Sequence, residues 1–283
     1  MFESKSGILL IGGLGFFLFA FLSNALVPIL LYSDMAEQTA LNLTEQNTNV
    51  LYQWEDLSVR YPEAFQKHYP DGATPETLAE ALLLARDVYT GEGCWHCHSQ
   101  FVRPVSNEES RWGPVAMSEE YQNELQRPVL WGTRRVGPDL SREGGRRGND
   151  WHAVHFYDPP LVSTRSPMPK YPWFFEGLPI TAAVRRLDVM AVTDEAAGEL
   201  ANEIRSEFGE TDEELTKNAA KAWALIRKPY PALYAERKSS PDAPNKRGLA
   251  MIAYVQWLGS WLEQYPLYEQ YTPLDEQIAN PLE

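Results

Sequence analysis

The sequence predicts a mainly α-helical protein, with one membrane-spanning helix at its N-terminus and, behind it, a domain of helices and long loops carrying a helical insertion. Three features predict this. Residues 7–32 run GILLIGGLGFFLFAFLSNALVPILLY without one charged side chain. The stretches 75–91 and 247–265 repeat apolar residues at helical spacing. Between them, residues 104–173 are rich in Pro, Gly, Trp and Arg and show little periodicity.

Lys5 precedes the apolar run and Asp34 follows it. Roughly 20 apolar residues span a hydrocarbon core, and this run exceeds that. It is also longer than the about 7–15 residues of a signal-peptide core. No small-x-small cleavage site closes it, so residues 1–33 read as a retained single-pass anchor. Gly12, Gly13 and Gly15 offer a close-approach face to another membrane helix, Ser23 and Asn24 can hydrogen-bond across it, and Pro28 is placed to kink the outer end.

Residues 34–73 are polar, aromatic and mixed in pattern (LYQWEDLSVRYPEAF), and read as a tether with some local structure. The next helix is well marked: Thr74 caps it, Pro75 fits its first turn, and Glu76 and Glu80 suit the positive end of its dipole. Leu78, Leu82, Ala85 and Tyr89 form its apolar stripe, and Gly91 and Gly93 stop it. The loops of 104–173 need some other centre to pack on. The Ala- and Glu-rich text of 177–246 reads as an insertion of two or three helices and a linker. Ile252, Val255, Leu258 and Leu262 place a closing helix over 247–265, so the domain spans 74–265 and residues 266–283 form a tail.

The hydrophobic fraction of 44% argues against general disorder, and the formal net charge of −14 argues against a nucleic-acid partner. An acidic surface suits a basic protein partner by long-range steering, or serves solubility alone.

Cys94 and Cys97, in GEGCWHCHSQFVRP, are the only cysteines, which rules out a disulfide framework. A redox dithiol would need the motif at the start of a helix in a βαβ context, whereas here it follows a helix. A zinc site would need about four ligands; His96, His98 and a distant His152 or His155 could contribute, but no second cysteine pair exists. Covalent haem explains most. Two thiols at this spacing reach the two vinyl groups of one porphyrin, and the adjacent His98 swings under the iron. Such haem is attached on the outer side of the bacterial membrane, which puts the domain in the periplasm and the N-terminus in the cytoplasm.

Electron transfer calls for a sixth ligand. Met168 stands in RSPMPKYPW, where Pro167 and Pro169 hold the chain extended and able to present a thioether. Met117 is the other candidate; Met35 sits at the membrane end, and Met251 reads as core. Pro138, in WGTRRVGPDL, offers a carbonyl to fix the second N–H of the proximal histidine. Arg134, Arg135 and Arg103 are candidates to neutralise haem propionates, although a solvated basic turn explains either of the paired arginines nearly as well. Tyr171 and Trp173 complete the expected haem environment. His152 and His155 read as structural, His96 as pointing away from the iron and His68 as tether surface.

With these pieces placed, GCWHCHSQFVRP, WGTRRVGPDL, DWHAVHFYDP, MPKYPW and LAMIAYVQWLG, in this order behind one membrane helix, resemble the mono-haem cytochrome c subunit of cbb3-type cytochrome c oxidases in the haem–copper superfamily. The resemblance covers the anchor, most of 75–176 and 247–259. It implies a class I cytochrome c-like domain with one haem c on Cys94 and Cys97, and His98 and Met168 as axial ligands. It also implies a large multi-span haem–copper catalytic partner, and a role relaying electrons to it from a periplasmic or di-haem cytochrome c. Residues 33–74 and 177–246 are longer than the family pattern leads one to expect. The small cytochrome subunit of a nitric oxide reductase-type complex is the neighbouring alternative. A haem-based gas sensor with five-coordinate iron, or a structural subunit without haem, are alternatives of other classes.

Overall fold

The computed structural model describes residues 5–33 and 38–260. Met35, Leu262 and the expected tail 266–283 lie outside the described residues.

Helix α1, Lys5–Leu31, is long and apolar enough to cross a membrane, and none of its most apolar stretch is buried against the protein. It widens to a π turn at Leu22–Leu26, just before Pro28. A proline has no N–H to return to the carbonyl four residues earlier, so the ladder breaks there. Ser23 Oγ donates to the Phe19 carbonyl at 2.8 Å and Asn24 Nδ2 to that of Ala20 at 2.9 Å. The two polar groups expected to bond across to a second helix are thus satisfied within their own.

The stretch expected as a tether forms α2 (Ala40–Gln46), α3 (Thr48–Arg60) and α4 (Pro62–His68). Asn47 divides the first two and caps the second by accepting the Val50 N–H. Trp54, Leu57, Phe65 and Tyr69 are buried, with the Trp54 ring 4.7 Å from Phe65 and 4.8 Å from Tyr69. These residues belong to the main core.

Helix α5 (Pro75–Gly91) opens on a reciprocal cap: Thr74 Oγ1 accepts the Thr77 N–H at 3.3 Å, and Thr77 Oγ1 accepts the Thr74 N–H at 3.0 Å. Its expected stripe of Leu78, Leu82, Ala85 and Tyr89 is buried. The following loops hold the short α6 (Glu108–Trp112) and then α7 (Asn149–Tyr157). The insertion contains five helices rather than two or three: α8 (Ile180–Met190), α9 (Glu195–Phe208), α10 (Asp212–Lys217), α11 (Ala219–Arg227) and α12 (Pro231–Glu236). Helix α13 (Lys246–Trp257) is buried from Gly248 onward. It stops earlier than the periodicity predicts, because Leu258 turns extended and Gly259 takes φ +85°.

The centre of the molecule is α13 packed on α5, with Tyr89 and Tyr254 rings 5.5 Å apart and Arg86 Nη1 donating to the Tyr254 hydroxyl at 3.3 Å. Helices α2–α4 and α7 close around that pair. Each large apolar side chain buried here stabilises the fold by about 1.5–3 kcal/mol. The insertion has its own apolar cluster, including Leu187, Ala201, Ile204 and Ile226, which shares no member with the main one. Its neck is held by backbone bonds, Leu178 N–H to Glu236 O at 2.9 Å and Glu176 N–H to Ala243 O at 2.8 Å. Among the described residues pairing is limited to two isolated bridges, Gln38 with Asn123 and Phe175 with Pro244.

Candidate functional site

Helix α5 ends where its sequence says it should. Gly93 adopts φ +72°, a left-handed turn that a side chain would strain. It delivers a single 3₁₀ turn, Cys94–His96, in which the N–H groups of Cys97 and His98 both donate to the Cys94 carbonyl. The two cysteines are not bonded to each other; Cys94 is buried and Cys97 exposed. Burial pushes the Cys94 thiol up to about 12, so it stays protonated at neutral pH.

Segment 130–140 runs beside this turn. Arg134 N–H donates to His96 O at 3.0 Å, Gly137 N–H to Cys97 O at 3.1 Å and Leu140 N–H to Ser99 O at 2.9 Å. This latch places the Pro138 carbonyl 2.9 Å from His98 Nδ1. A carbonyl only accepts, so Nδ1 carries the proton and Nε2 is left with its lone pair for a metal. Burial holds the His98 ring below its ordinary pKa, which also favours the neutral, ligating form. Gly137 packs flat against the ring: a Cβ there would lie 2.2 Å from His98 Cε1.

Asp139 anchors the latch. It is buried, accepts the Ser99 hydroxyl and the Phe101 N–H at 3.0 Å, and accepts the Ser141 N–H at 2.8 Å through its other oxygen. Sequence reasoning passed over both Gly137 and Asp139. The signal available was their place beside Pro138 in VGPDL.

Cys94, Cys97, His98 and Met168 line one cavity of about 510 Å³. Cofactor pockets run about 300–1,000 Å³. Pro138 and Tyr171 line it too, as do Trp151, His152, His155 and Phe156 of α7, while Val255 of α13 contributes from the core. Met168 is half-buried against the main cluster, in the loop 163–169. Met117 lies outside the lining and Met251 is fully buried on α13, so Met168 is the one methionine among the described residues that the fold brings to the cavity. Among the described residues no three His, Cys, Asp or Glu side chains converge as they would on a bare metal ion. A porphyrin supplies four ligands of its own and asks the protein for two. The donors present, an imidazole nitrogen, a thioether and two thiols around one apolar cavity, fit a haem.

The arginines expected here are elsewhere. Arg135 is committed to an ion pair with Glu108 and to the Ser99 hydroxyl and Phe101 carbonyl, both at 2.7 Å. Arg103 donates to the Trp131 carbonyl at 3.1 Å, and Arg134 is exposed. None of the three lines the cavity; Arg147 and Arg165 do. The partners of Arg135, Glu108 and Ser99, lie far enough away in sequence that spacing could not reveal the pairings. Trp173 is half-exposed and donates to Glu92 at 3.0 Å, also outside the lining. His96 stacks on Trp95 at 3.9 Å and faces Thr133, away from the cavity. His152 and His155, read from sequence as structural, face it.

The profile of one protein family, described as cytochrome c oxidase, mono-heme subunit/FixO, matches residues 62–262. That span runs from α4 to the end of α13 and takes in every residue placed at the cavity. No curated protein matches the chain. The family implies one haem, a membrane-bound oxidase complex and a catalytic subunit beside this one. With well over half its length inside that match, the chain belongs to the mono-haem subunit family of cytochrome c oxidase.

Proposed function

We propose that this chain is the electron-relay subunit of a cbb3-type terminal oxidase, holding one haem c through thioethers to Cys94 and Cys97 with His98 and Met168 as axial ligands. It passes electrons from a cytochrome c donor, periplasmic or di-haem, to the large haem–copper subunit that reduces O₂. The observation that carries the reading is the convergence of the two thiols, His98 and Met168 on one cavity. The haem supplies a one-electron iron couple.

The chain's residues do the rest. The Pro138 carbonyl fixes the His98 tautomer and aims Nε2, and Gly137 keeps the ring from tilting. His98 and Met168 would hold the iron from the protein side, which would leave oxygen chemistry to the partner. Phe156, Tyr171 and Val255 exclude water from the cavity and help set its potential. Helix α1 anchors the domain in the bacterial cytoplasmic membrane, N-terminus in the cytoplasm and haem domain in the periplasm, where haem c is attached.

Met168→Ala tests the ligand set. The expected result is retained covalent haem with a lowered midpoint potential and an altered reduced spectrum. A spectrum and potential equal to the parent's would remove Met168 from the iron.

A further inference from the structure

Helix α7 presents an uncommon face to the cavity. Positions 152, 155 and 156 share one side of the helix, where burial ordinarily selects three apolar residues. Here Phe156 is joined by two imidazoles. His152 is 3% exposed, and its Nε2, like Nδ1 of His155, is buried without a hydrogen-bond partner in the protein. An unpaired buried polar atom forfeits the hydrogen bond it had with water. Two of them on one short helix call for a partner from outside the chain.

The surroundings indicate its chemistry. Burial above all, then His155 acting on His152 and His98 acting on His155, and last Arg147, push His152 down to about 3 and His155 to about 4. Even a neutral imidazole keeps one N–H to donate. The Arg147 guanidinium sits 4.4 Å over the Trp151 ring, which stacks on His155 at 4.5 Å. Glu143 beside them is already paired with Arg147. This wall offers hydrogen-bond donors. Cys94 and Cys97, which would take the vinyl groups, line the same cavity. A haem carries its vinyl groups and its two propionates on opposite edges.

We propose that α7 is the carboxylate-binding wall of the cavity, with His155 and His152 donating ring N–H bonds to the haem propionates. This rests on the thioether attachment proposed above. It moves to α7 the task that the sequence assigned to Arg103, Arg134 and Arg135. The two imidazoles act as positioning residues: bonds to a carboxylate offset its negative charge, which favours the reduced iron.

The test uses the purified membrane complex carrying His155→Leu, His155→Phe, His155→Gln and the same three changes at His152. Leu and Phe remove the donor at different bulk, so that misfolding of one leaves the other to decide; Gln keeps an N–H. The expected result is a lowered haem midpoint potential and displaced propionate bands in resonance Raman spectra for Leu and Phe, with Gln restoring both toward the parent. Haem-loaded Leu or Phe variants with parental potential and bands would overturn the proposal. So would a Gln variant as perturbed as the others. A parent complex whose haem dissociates on denaturation overturns the thioether reading instead, and shows itself before any variant is made.

Discussion

Gly137 lacks a side chain because the His98 ring occupies that space. A Cβ would sit 2.2 Å from Cε1 and 2.7 Å from Nδ1, and only the ring could move away. Gly137→Ala should therefore cost about 1–3 kcal/mol, the usual range for overpacking, and tilt His98 off the Pro138 carbonyl. Thermal unfolding together with the reduced absorption spectrum checks this. A lowered midpoint with an altered spectrum is expected, and a parental spectrum would mean the ring is not held by this contact. At this scale the sequence was legible where chemistry is local. The cysteine pair, its histidine and the Pro138 carbonyl all sit where the motif puts them. The arginines were misread because their partners are set by the fold: Arg135 meets Glu108, Ser99 and Phe101 only once segment 130–140 has been laid against 96–101.

At the scale of elements, α5 was predicted with its cap and its glycine stop, since a run this long shows its stripe. Helices α2–α4 were not, because Asn47 and Tyr61 divide the stretch into pieces of 7, 13 and 7 residues. Pieces that short hardly repeat a stripe, so what packs them is tertiary. Trp54 illustrates it: fully buried, tilted against Phe65 and edge-on to Tyr69, with Nε1 donating 3.1 Å to the Thr77 hydroxyl that also caps α5. Trp54→Ala should destabilise the domain by about 3–5 kcal/mol. Denaturant unfolding of the solubilised protein measures it, and a loss below about 1 kcal/mol would mean that α3 is peripheral to the core. Similarly, α13 was foreseen to 265 from its apolar spacing, but a positive φ at Gly259 ends it.

For the whole molecule, one helix long and apolar enough to cross a membrane, a main core on α5 and α13, and a separate apolar cluster in residues 177–246 make up the described residues. That apolar helix and the helical class were readable from length and composition. The insertion's five helices were compressed to two or three, since its short connections carry few strong breakers. The loops of 104–148 are ordered by buried polar pairs such as Glu120 with Arg142, at 2.7 and 2.9 Å, as well as by the cavity. On the proposed function, the cavity holds one haem covalently through Cys94 and Cys97. Haem staining of a denaturing gel, comparing the parent with a Cys94→Ser/Cys97→Ser double variant, tests this. One stained band at the mass of the chain is expected in the parent and none in the variant. A parent band without stain, or stain that survives loss of both thiols, would contradict it.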